Sequence, residues 1–414
     1  MSAEVSIMNA DGVAMAADSA TTLGYGKTYN TADKLFALSK YYPVGIMIYG
    51  SASIMGIGWE IIVKNYRNEL HDRSFDTLPG YAKDFLKFLS KFPYFGKYQM
   101  KDYFESVCHN LFKIILQRFI DDLRKLYGDK EEITKGQIDD VFVKSLKEIK
   151  DELNNEKDEK HIKVDENYIN AQMKSINTEI KIIFENYPIS KKLVQEIVGI
   201  IKLNFRKCGW IDKYSGIVIC GYGERDLFPT TYSCKVSGKL GRGLIYFEEE
   251  LKKIDPNDPE VPTSNFSPWA QDDVVSTFMW GIDPIFCFNI EEKIGFTLSK
   301  ITEHLPEKYK TKIPKIIELF KKYTSDTINF KYALPMLDIV DSLQKEDLTS
   351  LAEAMINLTA LRLHVTPDSE TVGGSVDVAY ISKSDGFIWI KKKTNYDPVI
   401  NMDLNQNYFR GKHI

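Results

Sequence analysis

Cysteine is scarce and unpaired in this 414-residue chain: Cys108, Cys208, Cys220, Cys234 and Cys287 are scattered and form no C-x-x-C pair. That excludes a zinc knuckle and a disulfide framework, and it fits a reducing, cytoplasmic compartment. A basic surplus is also missing, since 54 Lys and Arg face 58 Asp and Glu for a net charge of -4. No whole-surface nucleic-acid partner is expected from that balance. The six histidines show no metal-ligand spacing, so no metal is expected. Gly238 to Gly243 lacks the spacing and the strand-to-helix setting of a phosphate loop and reads as a turn, so no nucleotide cofactor is expected either. Long hydrophobic runs are nearly absent. Val44 to Val63 is the nearest approach to a membrane span, but four glycines, two serines and Glu60 inside it fit a buried strand, a turn and a helix start better. The opening Met-Ser-Ala-Glu has no basic region ahead of an apolar core, so no signal peptide is expected. Internal repeats and low-complexity blocks are missing as well.

What is present is the composition of a folded protein, 43% hydrophobic and 27% charged. Short strand patterns fill the first sixty residues: Ser2 to Met8, Val13 to Ala17, Lys34 to Leu38 and Val44 to Tyr49. Apolar residues at helical spacing dominate from Ile57 to about Arg206. Strands return at Ser215 to Tyr222, Thr230 to Val236 and Leu244 to Phe247; a connection rich in Pro and Asp, Asp255 to Pro268, leads to an apolar helix from about Ala270 to Met279. Further helix runs to about Leu363, and Val376 to Ile381 pairs through the Asp385-Gly386 turn with Phe387 to Lys391. Strands grouped by hairpins, with helices in separate blocks, predict an α+β fold of antiparallel sheet under helical layers.

The Asn9 to Gly12 turn sets a hairpin register in which Ser6 faces Met15 and Glu4 faces Ala17, bringing Ser2 beside Asp18 and Ser19. Ser2 is small, so removal of Met1 is expected, leaving an α-amino group with an ordinary pKa of roughly 7.7 to 8.0. Such an amine can act as base for the hydroxyl of its own residue.

Ser2-Ala-Glu-Val-Ser-Ile, Asp11-Gly-Val-Ala-Met-Ala-Ala-Asp18-Ser19, Asp33-Lys34-Leu-Phe-Ala-Leu38 and Gly45-Ile-Met-Ile-Tyr-Gly50-Ser-Ala52 together resemble the opening of proteasome β-type subunits and of the bacterial HslV peptidase, which are N-terminal-nucleophile hydrolases. The match is specific over about the first 60 residues, with the spacing from nucleophile to aspartate to lysine preserved. The resemblance implies a four-layer αββα sandwich in which Ser2 is the nucleophile of a peptide-bond hydrolysis. Lys34 would lower the pKa values of amine and hydroxyl, Asp18 would orient Lys34, and the backbone N–H at Gly50 would stabilise the oxyanion. Near the C-terminus, Asp368 and Thr371 fall where the family steadies the amine, although an ordinary helix-exit loop explains them equally. Ser267 is the candidate for the family's third supporting serine. Ile48 and Ala52 would line an apolar pocket for the residue before the scissile bond.

The same resemblance implies a homo-oligomeric ring acting on peptides or unfolded protein, open to an ATP-dependent unfoldase as partner. A non-catalytic scaffold subunit of the same fold and an amidase for small molecules are the alternatives. The nucleophile is Ser where the family usually has Thr, which removes the methyl that restricts χ1. On this reading one domain spans the chain, with core segments 1–69, 189–285 and 342–395, helical insertions at 70–188 and 286–341, and a tail at 396–414.

Overall fold

The computed structural model describes residues 2–22, 27–128, 133–156, 165–187, 189–207, 209–211, 213–303, 306, 312–367 and 371–393. Strands β1 (Ala3–Asn9) and β2 (Gly12–Ala17) form the expected hairpin, with Glu4 opposite Ala17 and Ser6 opposite Met15. Two short strands, β3 (Thr21–Thr22) and β4 (Thr28–Tyr29), pair with each other. They are followed by β5 (Leu35–Ala37) and β6 (Val44–Gly50), and then by the small hairpin of β7 (Ser53–Ile54) and β8 (Ile57–Gly58). Helix α1 (Trp59–Leu70) completes the segment that imitates a membrane span. That segment is strand, hairpin and helix start. Among the described residues no helix is long and apolar enough to cross a membrane.

Helices α2 (Leu78–Lys91), α3 (Lys97–Tyr127), α4 (Lys135–Asn155), α5 (Glu166–Ala171), α6 (Met173–Ile183) and α7 (Lys191–Lys207) come next. The sheet resumes with β9 (Ser215–Gly221), β10 (Thr230–Leu240), β11 (Gly243–Lys253) and β12 (Asn265–Ala270). The last third holds α8 (Asp273–Trp280), α9 (Pro284–Glu303), α10 (Ile313–Ile328), a π-helical turn at Asn329–Ala333, α11 (Leu334–Ser342), α12 (Lys345–Val365), β13 (Asp377–Ser382) and β14 (Gly386–Lys391).

One expectation is corrected. Asn265–Ala270 lies partly in the expected connection and partly in the expected helix, yet it is a strand paired with β1. Pro268 hides it from a propensity reading, but a proline is tolerated on an edge strand, and β12 is the edge of its sheet.

The strands make two five-stranded antiparallel sheets, ordered β12-β1-β2-β13-β14 and β11-β10-β9-β6-β5. Met15, Met47, Val218, Cys220, Ala379 and Ile381 fill the space where the sheets face each other. Beyond the first sheet, Val5, Ile7 and Val378 pack on Val275, Leu348, Ala352 and Met355 of α8 and α12. Beyond the second, Ile46, Ile48 and Ile217 pack on Ile62, Tyr66 and Phe85 of α1 and α2. Strands buried on both faces explain why β1 and β2 carry no exposed residue.

A separate apolar core joins α3, α4, α6 and α7, reaching the sheet only at Leu240 and Ile245 near the β10–β11 turn. The helical bundle therefore runs from α3 through α7, while α2 belongs with the sheet.

Candidate active site

Period-two alternation along β1 sends Ala3, Val5 and Ile7 to the helix side and Ser2, Glu4, Ser6 and Met8 toward the second sheet. Three polar side chains are thus buried between two sheets, and each needs a partner. Ser6 accepts from Trp269 Nε1 at 3.2 Å. Ser2 and Glu4 find theirs at the sheet edge, where β1 and β2 meet β5 and β6.

Asp18 follows directly on β2 and is the best-satisfied group there. Its Oδ1 accepts from Ala3 N at 3.1 Å and from the Lys34 ammonium. Its Oδ2 accepts from Ala20 N at 3.0 Å and Gly373 N at 3.1 Å. Four donors fill the acceptor capacity of a carboxylate. Lys34 sits at the entry to β5, where its carbonyl accepts from Ile48 N at 2.8 Å, so strand pairing sets its backbone. Its ammonium lies 3.7 Å from Glu4 Oε1.

Ser2 is 2% exposed. Its carbonyl accepts from Gln271 N at 3.1 Å, just past Ala270, which takes the left-handed φ of 65° and ends β12. Its hydroxyl donates to Glu4 Oε2 at 3.3 Å and accepts from Gly50 N at 3.3 Å. Gly50 closes β6 opposite Ser215 with φ of 76°, and a Cβ there would stand 3.0 Å from the Tyr214 carbonyl. Only glycine holds that backbone without strain, so the N–H aimed at Ser2 depends on it.

The structure therefore unites Ser2 with Gly50 and Asp18 with Lys34, but no direct hydrogen bond joins the Ser2 hydroxyl to Lys34 or Asp18 among the described residues. Glu4 bridges the two halves. Burial pushes its carboxyl up to about 8, opposed by the nearby Lys34 charge and reinforced by Asp18. The family resemblance assigns Glu4 no role; its sequence signal is its place two residues from the candidate nucleophile, on the same face of the strand.

Other expectations fare differently. Asp368 lies outside the described residues. Thr371 is buried, but its Oγ1 has no partner and makes no bond to Ser2. The loop it opens does reach the site, because Gly373 N bonds Asp18 and the Gly373 carbonyl accepts from Ser19 N at 3.1 Å. Ser267 faces Ser6, four residues along β1 from Ser2, and binds Lys252 and Asn265. It is no part of the site.

Ile48 is buried in the core under α1 and α2 and is not among the residues lining the cavity beyond Gly50. That cavity, of about 490 Å³, lies between the β7–β8 hairpin and α3, edged by Ser51, Ser53, Met55, Asp102 and Lys213. Its wall mixes polar and apolar groups, and α3 contributes Gln99, Asp102, Tyr103 and Ser106 to it.

A second cation with a buried side chain is Lys393, which no sequence pattern marks. Its ammonium contacts Asp33 Oδ1 at 3.1 Å, Asp377 Oδ2 at 3.0 Å and Ser19 Oγ at 3.1 Å. It ties the end of β14 to the residues next to Asp18 and Lys34. Among the described residues no group of His, Cys, Asp and Glu is arranged to hold a metal ion.

No family model and no curated protein matches the chain. Among solved structures it aligns with Anbu (ancestral beta-subunit) from Yersinia bercovieri over 100% of its length and 98% of that chain, at 8% identity and a TM-score of 0.29. Superposition at that level does not establish a shared fold.

Proposed function

We propose that this chain is an N-terminal-nucleophile hydrolase of αββα architecture, cleaving peptide bonds through an acyl-enzyme on Ser2 once Met1 has been removed. The observation that carries the reading is the Ser2 hydroxyl held 3.3 Å from the Gly50 N–H, across the gap between the sheets, beside the buried Asp18–Lys34 pair. The nucleophile attacks the acyl carbon, and a backbone N–H at the end of β6 is positioned to receive the developing oxyanion. Lys34 supplies a fixed positive charge that favours the alkoxide. The cavity edged by Ser51, Asp102 and Lys213 would take substrate on the far side of Gly50, offering hydrogen bonds from these side chains beside the apolar Ile54, Met55 and Ile57.

The chain would act as a homo-oligomer. Support comes from α9, α10 and the turn after them, where Phe286, Phe288, Phe296, Tyr323 and Phe330 are 56–70% exposed. Those five rings alone present on the order of 600 Å². A second copy of the chain is the occupant we assign, because a standard interface needs about 800 Å² per partner and the exposed Ile285 of α9 and Ile339 of α11 add to the apolar surface these elements leave uncovered.

The test pairs intact-mass measurement with cleavage of fluorogenic peptides and small amides. Loss of Met1, peptide cleavage, and its disappearance in Ser2→Ala are expected. Retained Met1 with no cleavage of either substrate class would assign the chain a scaffold role, and cleavage of amides alone would make it an amidase.

A further inference from the structure

We infer that Glu4 is a catalytic residue of this site, the group that takes the proton from the Ser2 hydroxyl, so that the nucleophile is activated by a carboxylate on its own strand as well as by a terminal amine. The inference rests on the proposed hydrolase reading and concerns which group serves as base within it.

Three observations carry it. Glu4 is the only side chain whose carboxylate meets the Ser2 hydroxyl among the described residues, with Oε2 at 3.3 Å. That separation is long for an O–H···O bond, as is common before substrate closes a site. Its other oxygen, Oε1, is fully buried and makes no hydrogen bond, facing Lys34 Nζ at 3.7 Å. A buried carboxyl with one oxygen spare is costly to keep unless it is used. Finally, Lys34 is already neutralised by Asp18, which it binds directly. Glu4 is thus left as an extra acidic group in a pair that balances without it.

The surroundings favour a group that changes its proton count. Charged neighbours facing Glu4 are Lys34 and Asp18, to which removal of Met1 adds the α-amino group of Ser2; the residues opposite it on β2 and β12 are Ala17 and Trp269, and neither carries a charge. Desolvation holds its carboxyl up to about 8, a range in which a base and its conjugate acid are both populated near neutral pH.

The step balances as follows. The Ser2 Oγ–C bond forms while the hydroxyl proton passes to Glu4 Oε2 and the carbonyl electron pair moves to oxygen. As that pair returns, the C–N bond breaks and the proton moves from Glu4 to the leaving nitrogen. Water then repeats the sequence: its oxygen bonds to the acyl carbon as its proton goes to Glu4, the Oγ–C bond breaks as the electron pair returns from oxygen, and Ser2 recovers its proton from Glu4 as the carboxylic acid leaves.

The experiment compares wild type, Ser2→Ala, Glu4→Gln and Glu4→Asp on one fluorogenic peptide from pH 5 to 10, with ¹³C NMR of carboxyl-labelled glutamates. The Glu4 signal is assigned by its absence in Glu4→Gln. Expected are a kcat loss of about 10²- to 10⁴-fold in Glu4→Gln, partial recovery in Glu4→Asp, and a wild-type carboxyl titrating near 8. Full activity and an unchanged pH profile in Glu4→Gln, with Ser2→Ala inactive, would overturn the role of Glu4 and leave the hydrolase standing. Activity surviving in Ser2→Ala would overturn both. A wild-type spectrum in which no glutamate carboxyl titrates above about pH 7 would refute the inference even if Glu4→Gln failed to fold.

Discussion

Asp18 and Lys34 form a buried pair whose two members are held unequally, and this asymmetry can be tested by a double-mutant cycle. Asp18 binds the Lys34 ammonium and also three backbone N–H groups, from Ala3, Ala20 and Gly373. Lys34 binds Asp18 and lies near Glu4. Removing one partner of a buried ion pair costs about 3 to 5 kcal/mol, because the other charge stays in a low-dielectric site. Asp18→Asn should fall at the upper end: its amide oxygen can serve only one side of the donor set, and its NH₂ confronts the N–H groups on the other. Lys34→Met should cost less, since Asp18 keeps its three backbone donors.

The double variant should be at least about 2 kcal/mol more stable than the sum of the single losses, because no unpaired charge remains. For 414 residues at about 2.1 cal/mol/K each, the unfolding entropy is about 0.9 kcal/mol/K, so a 4 kcal/mol loss lowers Tm by about 5 °C. Near-UV circular dichroism melts supply the energies. Amide exchange supplies the fingerprint, with protection lost at Ala3, Ala20 and Gly373 in Asp18→Asn and kept in Lys34→Met. Additive losses within 0.5 kcal/mol, or equal exchange in both variants, would refute the reasoning.

Three shorter expectations accompany it. The folded carboxyl of Glu4 sits near 8 against an ordinary 4.5, so the native state binds that proton more tightly; the resulting stabilisation is whole below 4.5 and fades as pH rises through 8. Glu4→Gln should therefore gain stability relative to wild type by up to a few kcal/mol between pH 5 and pH 9, and parallel denaturation midpoints at the two pH values would contradict this. Gly50→Ala forces a Cβ against the Tyr214 carbonyl at a left-handed φ, costing about 1 to 2 kcal/mol and turning the N–H away from Ser2. Peptide cleavage should drop roughly tenfold or more while the fold persists, and an unaltered kcat would remove Gly50 from the site. Phe288→Glu combined with Phe330→Glu should lower the mass seen by light scattering, whereas an unchanged mass would free that face from assembly.

Legibility followed the range of the interactions. The β1–β2 hairpin was readable to the residue, because a four-residue turn fixes its register and alternation fixes its faces. The pairing of Asp18 with Lys34 and the place of Gly50 were both implied by the resemblance in spacing. Strand β12 was not, since Asn265–Ala270 is held by pairing with β1, some 260 residues away, and contains a proline that local propensity rejects. The cavity beyond Gly50 was equally hidden. One wall comes from α3, and no local pattern says that Asp102 will stand near Lys213. Glu4 gave a signal with a blander explanation: it shares a face with Ser2, but Ser2, Glu4 and Ser6 alternate with Ala3, Val5 and Ile7, the usual mark of a strand with one wet face. Only the second sheet, laid across that face, makes them buried and interacting.

The same logic links Lys393 to the site. Asp18-Ser19 and Asp33-Lys34 are neighbouring dipeptides that sort their side chains between two buried clusters. Asp18 and Lys34 join each other beside Ser2, while Ser19 and Asp33 both reach Lys393 on the other side. Lys393 also holds Asp377 at the start of β13, through its ammonium and through its backbone N–H at 2.8 Å. The two chain segments that carry the site's ion pair are thus braced from behind by a cation contributed from the far end of the fold. A charge change at Lys393 would leave the buried Asp377 and the part-buried Asp33 without their counter-ion and loosen the backbone on which Asp18 and Lys34 depend. The geometry at Ser2 is consequently a property of the closed sheet pair, and the opening sixty residues supply its chemistry without being able to hold it alone.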